Sequence, residues 1–325
     1  MIPNTVALEE YLKPLNAYLE DNSLNEILIN RPEVVFTERK GQFSEIKNET
    51  LTLRHLMGLA NLIARYSAQR LSDKEPLLSG LLPSGHRIQI ILNPATAQDR
   101  IVISIRKQTI ENISLQDYEK LNAFQNTEHC YLTSNLNKQT HVKEDFYLLE
   151  LFKEKKWIAF LQLAMQKKKN IIISGATSTG KTTFLNACLK EIPEHEHVVT
   201  LEDVAELKLK HRLHTPLFTS KGLQGVSNVT MQDLVQASLR IRPDRIILGE
   251  LRGSEAADFI NATATGHDGS ISSLHASSPY VAFMRLVHMV KLNGTNLSRE
   301  DILEDLQTVI DVMRSQHKNF SHYAC

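Results

Sequence analysis

Hydrophobic positions in the first third of the chain follow two periods, which predict helices and strands in alternation. Leucines three or four positions apart predict a helix over residues 8–19, interrupted at Pro14, and a similar pattern predicts a helix over 53–69. Short β-branched or alternating runs predict strands over 25–30, 33–41, 87–93 and 100–107. We therefore predict a smaller α+β domain at residues 1–107.

Residues 108–145 are polar, with many Asn, Glu, Lys and Gln residues and only scattered apolar ones. Because connections longer than about 15 residues are uncommon inside compact domains, this segment is predicted to be a linker with one short helix near 115–121. A linker of this length would also allow the first domain to pack on the second domain of a neighbouring subunit.

From residue 146 to 325, β-branched runs alternate with helical patterns. Strands are predicted around Ile171–Ile173 and over residues 197–203, 245–251 and 270–276. Helices are predicted over 146–152, 157–165, 231–239, 254–265, 281–290 and 298–313, with Thr230 and Asp233 as a capping box for the third. This alternation predicts an α/β domain with a parallel-rich sheet covered on both faces and a ligand site at the carboxyl ends of its strands.

One predicted strand runs directly into a glycine-containing turn, GATSTGKT, which fits the spacing G-x-x-x-x-G-K-[ST]. Backbone N–H groups of such a loop and the positive end of the following helix attract phosphate. We expect the loop to bind a nucleoside triphosphate, with Lys181 on the β- and γ-phosphates and the Thr182 hydroxyl on Mg²⁺. The alternative is a turn without a ligand, which the strand and helix on either side disfavour. The residues expected to contact nucleotide are Gly175, Ala176, Thr177, Ser178, Thr179, Gly180, Lys181, Thr182 and Thr183.

Polar residues follow three further predicted strands of the second domain. They are Glu202, Asp203 and Glu206 after the first, Glu250 and Arg252 after the second, and His275 after the third. Hydrolysis of a phosphoanhydride needs a carboxylate that orients or deprotonates water, and cations that offset charge on the γ-phosphate oxygens. A single strand-end carboxylate is more often a helix cap or a surface charge, but the recurrence at successive strands predicts a hydrolytic site.

Composition narrows the class of protein further. The 325 residues carry 37 basic and 37 acidic side chains, a balance that disfavours direct sequence-specific binding of nucleic acid. Three widely spaced cysteines, Cys130, Cys188 and Cys325, form no C-x-x-C pair and indicate a reducing cytosol. His195 with His197, and His211 with His214, have metal-like spacing, but solvated loop histidines are the favoured interpretation. No stretch approaches about 20 apolar residues, so any membrane association is expected to be peripheral or mediated by a partner.

Four segments, GATSTGKT, LEDVAE, LRIRPDRIILGELRGSEA and TGHDGSISSLHA, resemble in order the Walker A, Asp box, Walker B and His box of secretion and pilus-retraction ATPases. Within that superfamily the chain is most similar to the hexameric traffic ATPases of bacterial type IV secretion systems. PLLSGLLPSGHRIQI and ISIRK in the first domain also match motifs of that family.

This resemblance implies a RecA-like ATPase domain that hydrolyses ATP with Mg²⁺ in a homohexameric ring. Glu202 would be the water-activating carboxylate, Glu250 the Walker B glutamate and His275 the His-box residue near the γ-phosphate. Arg87 and Arg106 would clasp the phosphates when the two domains close, although by themselves they could be solvent-facing strand residues. Expected partners are other ATPases and inner-membrane components of a type IV secretion channel, at the cytoplasmic face of the inner membrane.

Two departures from the family pattern concern the metal and the loop. Gly249 precedes Glu250 where many P-loop enzymes have Asp, so the metal is expected to use Thr182, Glu250 or Asp203. Ser178 and Thr179 occupy loop positions where relatives commonly have Gly and Ser, and this exchange would stiffen the loop if Ser178 needs positive φ.

Rival interpretations remain open at this point. The nearest are a type II secretion ATPase, although no tetracysteine module is present, and a pilus-retraction ATPase. The others are a DNA-translocating motor and a scaffold that binds nucleotide without hydrolysing it.

Overall fold

The computed structural model describes residues 5–39, 41–107, 113–129, 143–177, 179–219, 229–316 and 321–324. They group into two compact units, one within Met1–Thr109 and the other within Ile110–Thr219 and Val229–Cys325. Each unit has its own buried apolar core.

The first unit is built on an antiparallel sheet with helices. Its described strands are β1 Glu26–Ile29, β2 Val34–Arg39, β3 Gln42–Lys47, β4 Leu77–Leu81, β5 Arg87–Ile91 and β6 Val102–Arg106. Their spatial order is β3-β2-β1-β6-β5-β4, and every neighbouring pair is antiparallel. Its helices are α1 Val6–Leu12, α2 Asn16–Glu20 and α3 Leu53–Tyr66, with a 3₁₀ turn at Lys13–Leu15. The predicted α+β architecture is confirmed, while β3 and β4 had no strand prediction.

Helix α3 shows why this unit folds as it does. The Thr52 hydroxyl caps the helix by accepting a hydrogen bond from the His55 backbone N–H. Leu56, Leu59 and Ile63 then lie three or four positions apart and are completely buried among the sheet residues of the first core.

The second unit is a sheet with helices on both faces. Its described strands are β7 Asn126–His129, β8 Ile171–Gly175, β9 Val198–Glu202, β10 His214–Phe218, β11 Arg245–Leu251, β12 Ile271–His275, β13 Val312–Gln316 and β14 Ser321–Ala324. The helices are α4 Leu115–Lys120, α5 Lys143–Lys153, α6 Trp157–Gln166, α7 Lys181–Leu189, α8 Met231–Ser238, α9 Glu255–Ala264, α10 Pro279–Leu292 and α11 Arg299–Val309.

The strand order of the second sheet is β10-β9-β11-β12-β8-β13-β14-β7. All neighbours from β10 to β13 are parallel, so the carboxyl ends of β9, β11, β12 and β8 lie along one edge. Side chains alternate between two cores: Ile171 and Ile173 face the α4–α7 side, and Ile172 faces the α8–α11 side. The predicted parallel-rich α/β fold is confirmed.

Strands β10 and β14 had no strand prediction, and two further regions differ from the sequence prediction. The helix predicted over 298–313 ends at Val309, and Val312–Gln316 is instead strand β13, parallel to β8 and wholly buried. Residues 113–129, inside the predicted linker 108–145, contain α4 and β7, and Leu115 and Phe124 are buried in the core of the second unit. This part of the segment is therefore folded into the second unit.

Candidate active site

The phosphate loop begins where strand β8 ends. All five residues of β8 are buried, and Gly175 is the last of them. A Cβ on Gly175 would lie 2.9 Å from the Gln316 backbone oxygen on the neighbouring strand β13, and 2.6 Å from Thr179 Oγ1 in the loop. Gly180 has φ of +85° and immediately precedes helix α7. The motif thus forms the predicted turn from strand to helix, with Lys181 to Thr183 in its first helical turn; Ser178 lies outside the described residues.

Lys181 is folded onto the loop that it follows. Its Nζ donates hydrogen bonds to the backbone oxygens of Gly175 and Ala176, both at 3.0 Å, and its side chain is almost fully buried. Burial lowers the pKa of Lys181 to about 8, although the nearby Glu250 carboxylate acts in the opposite direction.

His275 connects this lysine to the Walker B carboxylate. It ends β12 directly opposite Gly175, and its Nδ1 lies 3.1 Å from Lys181 Nζ. Burial, with the Lys181 charge as a second cause, lowers the pKa of His275, which favours a neutral ring that accepts from Lys181 at Nδ1. The ring then carries its proton on Nε2, 2.8 Å from Glu250 Oε1. That contact is close but not aligned as a hydrogen bond, and Glu250 Oε1 has no hydrogen-bond partner within the described residues.

A β-bulge places Glu250. Leu248 pairs with Ser272 and Leu251 pairs with Leu274, so three steps along β11 correspond to two along β12. Ser273 Oγ donates to the Gly249 backbone oxygen at 2.7 Å and fixes the bulged residue.

Arg252 joins the Walker B and Asp-box strand ends. Its Nε donates to Glu250 Oε2 at 2.8 Å, and its Nη1 donates to Asp203 Oδ2 at 2.5 Å. Burial acts to lower the pKa of Arg252, but hydrogen bonds and ion pairing with Glu250, together with the Asp203 charge, raise it overall. Sequence reasoning included Arg252 among the strand-end residues without predicting these partners.

The Asp-box carboxylates take separate positions. Glu202 is buried at the end of β9, and its Oε1 accepts hydrogen bonds from the backbone N–H groups of Glu206 and Leu207 at 2.7 and 2.8 Å. Glu206 Oε2 lies 3.4 Å from Thr182 Oγ1, the hydroxyl expected to bind the metal. Glu206 received no site role from the sequence, and the only signal for it was its place after β9.

These groups fit a magnesium–nucleotide complex. Mg²⁺ in phosphate-transfer sites uses one or two protein oxygens together with phosphates and water. Thr182 Oγ1 and Glu206 Oε2 lie 3.4 Å apart and would supply such protein oxygens. Glu250 Oε1 is buried beside His275 and has no hydrogen-bond partner among the described residues. The described residues contain no group of three or more His, Cys, Asp or Glu side chains that could hold an ion without a nucleotide.

Two further predicted residues, Arg87 and Arg106, belong to the first unit, and the histidine pairs belong to the second. Arg87 on β5 and Arg106 on β6 pair directly across the first sheet, so their side chains share one face of that unit. In the second unit, His197 Nε2 lies 3.0 Å from Thr215 Oγ1 and His214 Nε2 lies 2.9 Å from Thr200 Oγ1. Within the residues described, every helix is too short or too polar to cross a bilayer.

A buried strand, a glycine-lined loop at a helix start, and a lysine beside strand-end carboxylates together define a P-loop nucleotide-binding domain. The chain belongs to the Type II/IV secretion system protein family, whose sequence profile matches residues 9–318. This membership confirms the predicted class of enzyme, a secretion ATPase.

Curated relatives narrow the comparison to type IV secretion. The chain is 38% identical over 308 residues to the type IV secretion system protein VirB11 of Bartonella quintana, covering 93% of this chain and 86% of the relative. It is 35% identical over 311 residues to the type IV secretion system protein PtlH of Bordetella pertussis, covering 94% of this chain and 89% of the relative. These similarities confirm the predicted resemblance to type IV secretion ATPases.

Solved structures agree with this assignment. The VirB11 ATPase of the Brucella suis type IV secretion system, in complex with sulphate, has a TM-score of 0.52 and 36% identity, covering 96% of this chain and 93% of that one. The Legionella pneumophila ATPase DotB has a TM-score of 0.58 at 19% identity, covering 99% of this chain and 80% of that one, and therefore supports the fold alone.

Proposed function

We propose that this chain hydrolyses ATP with Mg²⁺ as a homohexameric ring, and that turnover drives substrate translocation or pilus assembly in a type IV secretion system. The observation that carries this proposal is the convergence of Lys181, His275 and Glu250 beside the phosphate loop. A site that only bound phosphate would not need a carboxylate next to the lysine and the histidine.

The loop residues bind the triphosphate. The backbone of residues 175–177, 179 and 180 and the start of α7 supply N–H donors and a positive partial charge. When nucleotide binds, Lys181 Nζ donates to phosphate oxygens in place of the Gly175 and Ala176 backbone oxygens. Its positive charge is then compensated by the charge of the phosphates. The Thr182 hydroxyl would hold Mg²⁺, with Glu206 beside it. Glu250 and Asp203 are further candidates, although Arg252 already contacts one oxygen of each.

When bound, Mg²⁺ neutralises charge on the β- and γ-phosphate oxygens. Glu250, whose buried Oε1 lies 2.8 Å from His275 Nε2, would accept a proton from water once nucleotide and water enter the site. Glu202 is the alternative base, but one of its oxygens already binds two backbone N–H groups.

The first domain, residues 1–107, would supply Arg87 and Arg106 to the phosphates when it closes over the ATPase domain, residues 146–325. Their direct pairing across β5 and β6 concentrates positive charge on one sheet face, which favours an anionic ligand there. We place the ring in the cytoplasm, peripherally attached to the inner membrane through other ATPases and membrane components of the secretion channel.

The test is phosphate release by the purified full-length chain. Replacing Lys181→Ala should reduce ATP turnover by at least about 100-fold, because the loop loses its cation on the transferring phosphoryl group. Lys210→Ala, at an exposed position after the Asp box, is the matched control and should retain full turnover. Undiminished hydrolysis by the Lys181→Ala variant would overturn the proposed function.

A further inference from the structure

Arg252 spans two motifs that are about fifty residues apart in sequence. It is the first residue after β11, and its guanidinium reaches Glu250 on the same strand end and Asp203 after β9. Nε and Nη2 both donate to a single carboxylate oxygen, Glu250 Oε2, while Nη1 donates to Asp203 Oδ2. One planar cation thus holds two carboxylates in a fixed relation.

The backbone that carries Arg252 is also held in place. The Glu255 carboxylate, at the start of α9, accepts hydrogen bonds from the backbone N–H groups of Arg252 and Gly253 at 2.6 and 2.8 Å. Asp203 is restrained on its other side, because Thr219 Oγ1 donates to its Oδ1 at 2.9 Å. The backbone of Arg252 and the carboxylate of Asp203 are therefore both fixed by further contacts.

This arrangement makes the two oxygens of Glu250 different. Oε2 is occupied by Arg252, whereas Oε1 lies beside His275 Nε2, on the side that leads to Lys181. A carboxylate that rotated freely would offer either oxygen in many directions. With Oε2 held, Oε1 keeps its place beside the His275 ring, which also contacts Lys181.

We propose that Arg252 is a positioning residue for ATP hydrolysis: it holds Glu250 Oε2 and ties it to Asp203, so that Oε1 is kept beside the His275 ring that contacts Lys181. The inference rests on the proposed function, since it concerns the same carboxylate. Arg252 acts through Glu250, so its removal should slow the chemical step while nucleotide binding persists.

The experiment compares Arg252→Gln and Arg252→Lys with the unaltered chain. Turnover at saturating ATP and KM are measured by phosphate release, and affinity is measured by calorimetric titration of a non-hydrolysable ATP analogue. Arg252→Gln should lower kcat about 10- to 100-fold, less than the roughly 100- to 10,000-fold that a positioned proton acceptor contributes, because Glu250 itself remains. KM and analogue affinity should change less than about twofold. Arg252→Lys should recover part of kcat, because an ammonium group can meet one carboxylate but not fork across two.

Arg212→Gln, in an exposed loop before β10, is the matched control and should leave kcat unchanged. Unchanged kcat in Arg252→Gln would overturn the inference, and so would a loss of analogue affinity as large as the loss of kcat, which would mean that Arg252 binds nucleotide directly. Absence of hydrolysis by the unaltered chain would instead overturn the proposed function.

A second variant keeps the test decisive if Arg252→Gln does not fold. Asp203→Asn removes the other anchor of the guanidinium. Asp203→Asn should also lower kcat, with an unchanged Mg²⁺ requirement. Where Arg252→Gln folds, the double variant that carries both substitutions should be no slower than the slower of the two single variants. A changed Mg²⁺ requirement, or fully additive losses, would contradict an Asp203 that acts through Arg252.

Discussion

The buried ammonium group of Lys181 gives ATP binding a defined pH dependence. Its pKa of about 8 in the protein is lowered from 10.5, chiefly by burial, so the lysine loses its proton within the range in which the protein can be assayed. Phosphate oxygens favour the charged form, so binding above pH 8 must be accompanied by proton uptake. We expect affinity for a non-hydrolysable ATP analogue to fall as pH rises from 7 to 9, and about half a proton to be taken up per site at pH 8.

Calorimetric titration in two buffers of different ionisation enthalpy measures this uptake directly. Lys210→Ala should take up the same number of protons as the unaltered chain. Equal affinity at pH 7 and pH 9, with no proton uptake, would contradict the assignment. The same shift predicts that the nucleotide-free protein becomes more stable as pH rises from 8 towards 10.5, because the unfolded chain then binds the extra proton.

Two glycines of the site should respond to Ala in different ways. A Cβ at Gly175 would meet backbone Gln316 O at 2.9 Å, whereas a Cβ at Gly249 would meet its nearest atom, Glu202 Cγ, at 3.5 Å. Gly175→Ala should therefore lower the free energy of unfolding by about 1–3 kcal/mol, as overpacking does. Gly249→Ala is the control and should change it by less than about 1 kcal/mol. Chemical denaturation measures the free energy of unfolding of both variants. Equal losses would contradict the close approach of Gly175 to strand β13.

At the residue scale, sequence predicted the parts of the site that a local motif encodes. Lys181 and Thr182 follow from the spacing of one short segment, and the structure places them at the start of α7. The contact of Glu206 with Thr182 and the bridge from Arg252 to Asp203 could not be predicted. Each depends on which strands lie side by side, and spacing along the chain does not specify that.

At the scale of elements, the start of β11 is held by a buried ion pair. Arg245 is completely buried, and its Nη2 donates to Glu196 Oε1 at 3.1 Å and to the Met165 backbone oxygen at 2.6 Å. This pair links β11 to the end of α6 and to the segment before β9. Removing one partner from a buried pair leaves an uncompensated charge in the core.

Glu196→Gln should consequently lower the free energy of unfolding by about 3–5 kcal/mol. Glu49→Gln, which breaks the exposed contact between Glu49 and Lys47, should leave the denaturation midpoint unchanged. Urea denaturation of the two variants measures the difference, and a similar midpoint for both would show that the buried pair adds nothing to the stability of β11.

Strand β13 was missed for a physical reason. Strand β13 follows α11 after a two-residue connection, and its pattern VMRSQ includes polar residues that are nevertheless buried beside β8. Residues Arg314 and Gln316 would be expected on a surface, but here Arg314 lies over the Phe184 ring. In contrast, the capping box of Thr230 and Asp233 was predicted correctly because both partners lie within one helical turn.

At the scale of the whole molecule, the proposed coupling of hydrolysis to motion depends on Arg87 and Arg106. Glu38, Glu26, Arg106 and Arg87 lie in register across β2, β1, β6 and β5, so the sheet carries acidic residues at one end of this row and basic residues at the other. A triphosphate would be attracted to the basic end. If ATP closes the two domains through these arginines, their loss should weaken ATP use without disturbing the fold of either domain.

We therefore expect Arg87→Ala and Arg106→Ala each to raise KM for ATP and lower kcat, by about tenfold or more in kcat/KM, with an unchanged thermal midpoint. Small-angle scattering of the assembled protein should show compaction on adding a non-hydrolysable ATP analogue, and the double variant should lose that compaction while retaining its assembly state. Arg65→Ala, at an exposed position on α3, is the control and should compact normally. Full compaction in the double variant would mean that these arginines are ordinary solvent-facing residues and that closure is driven by the second domain alone.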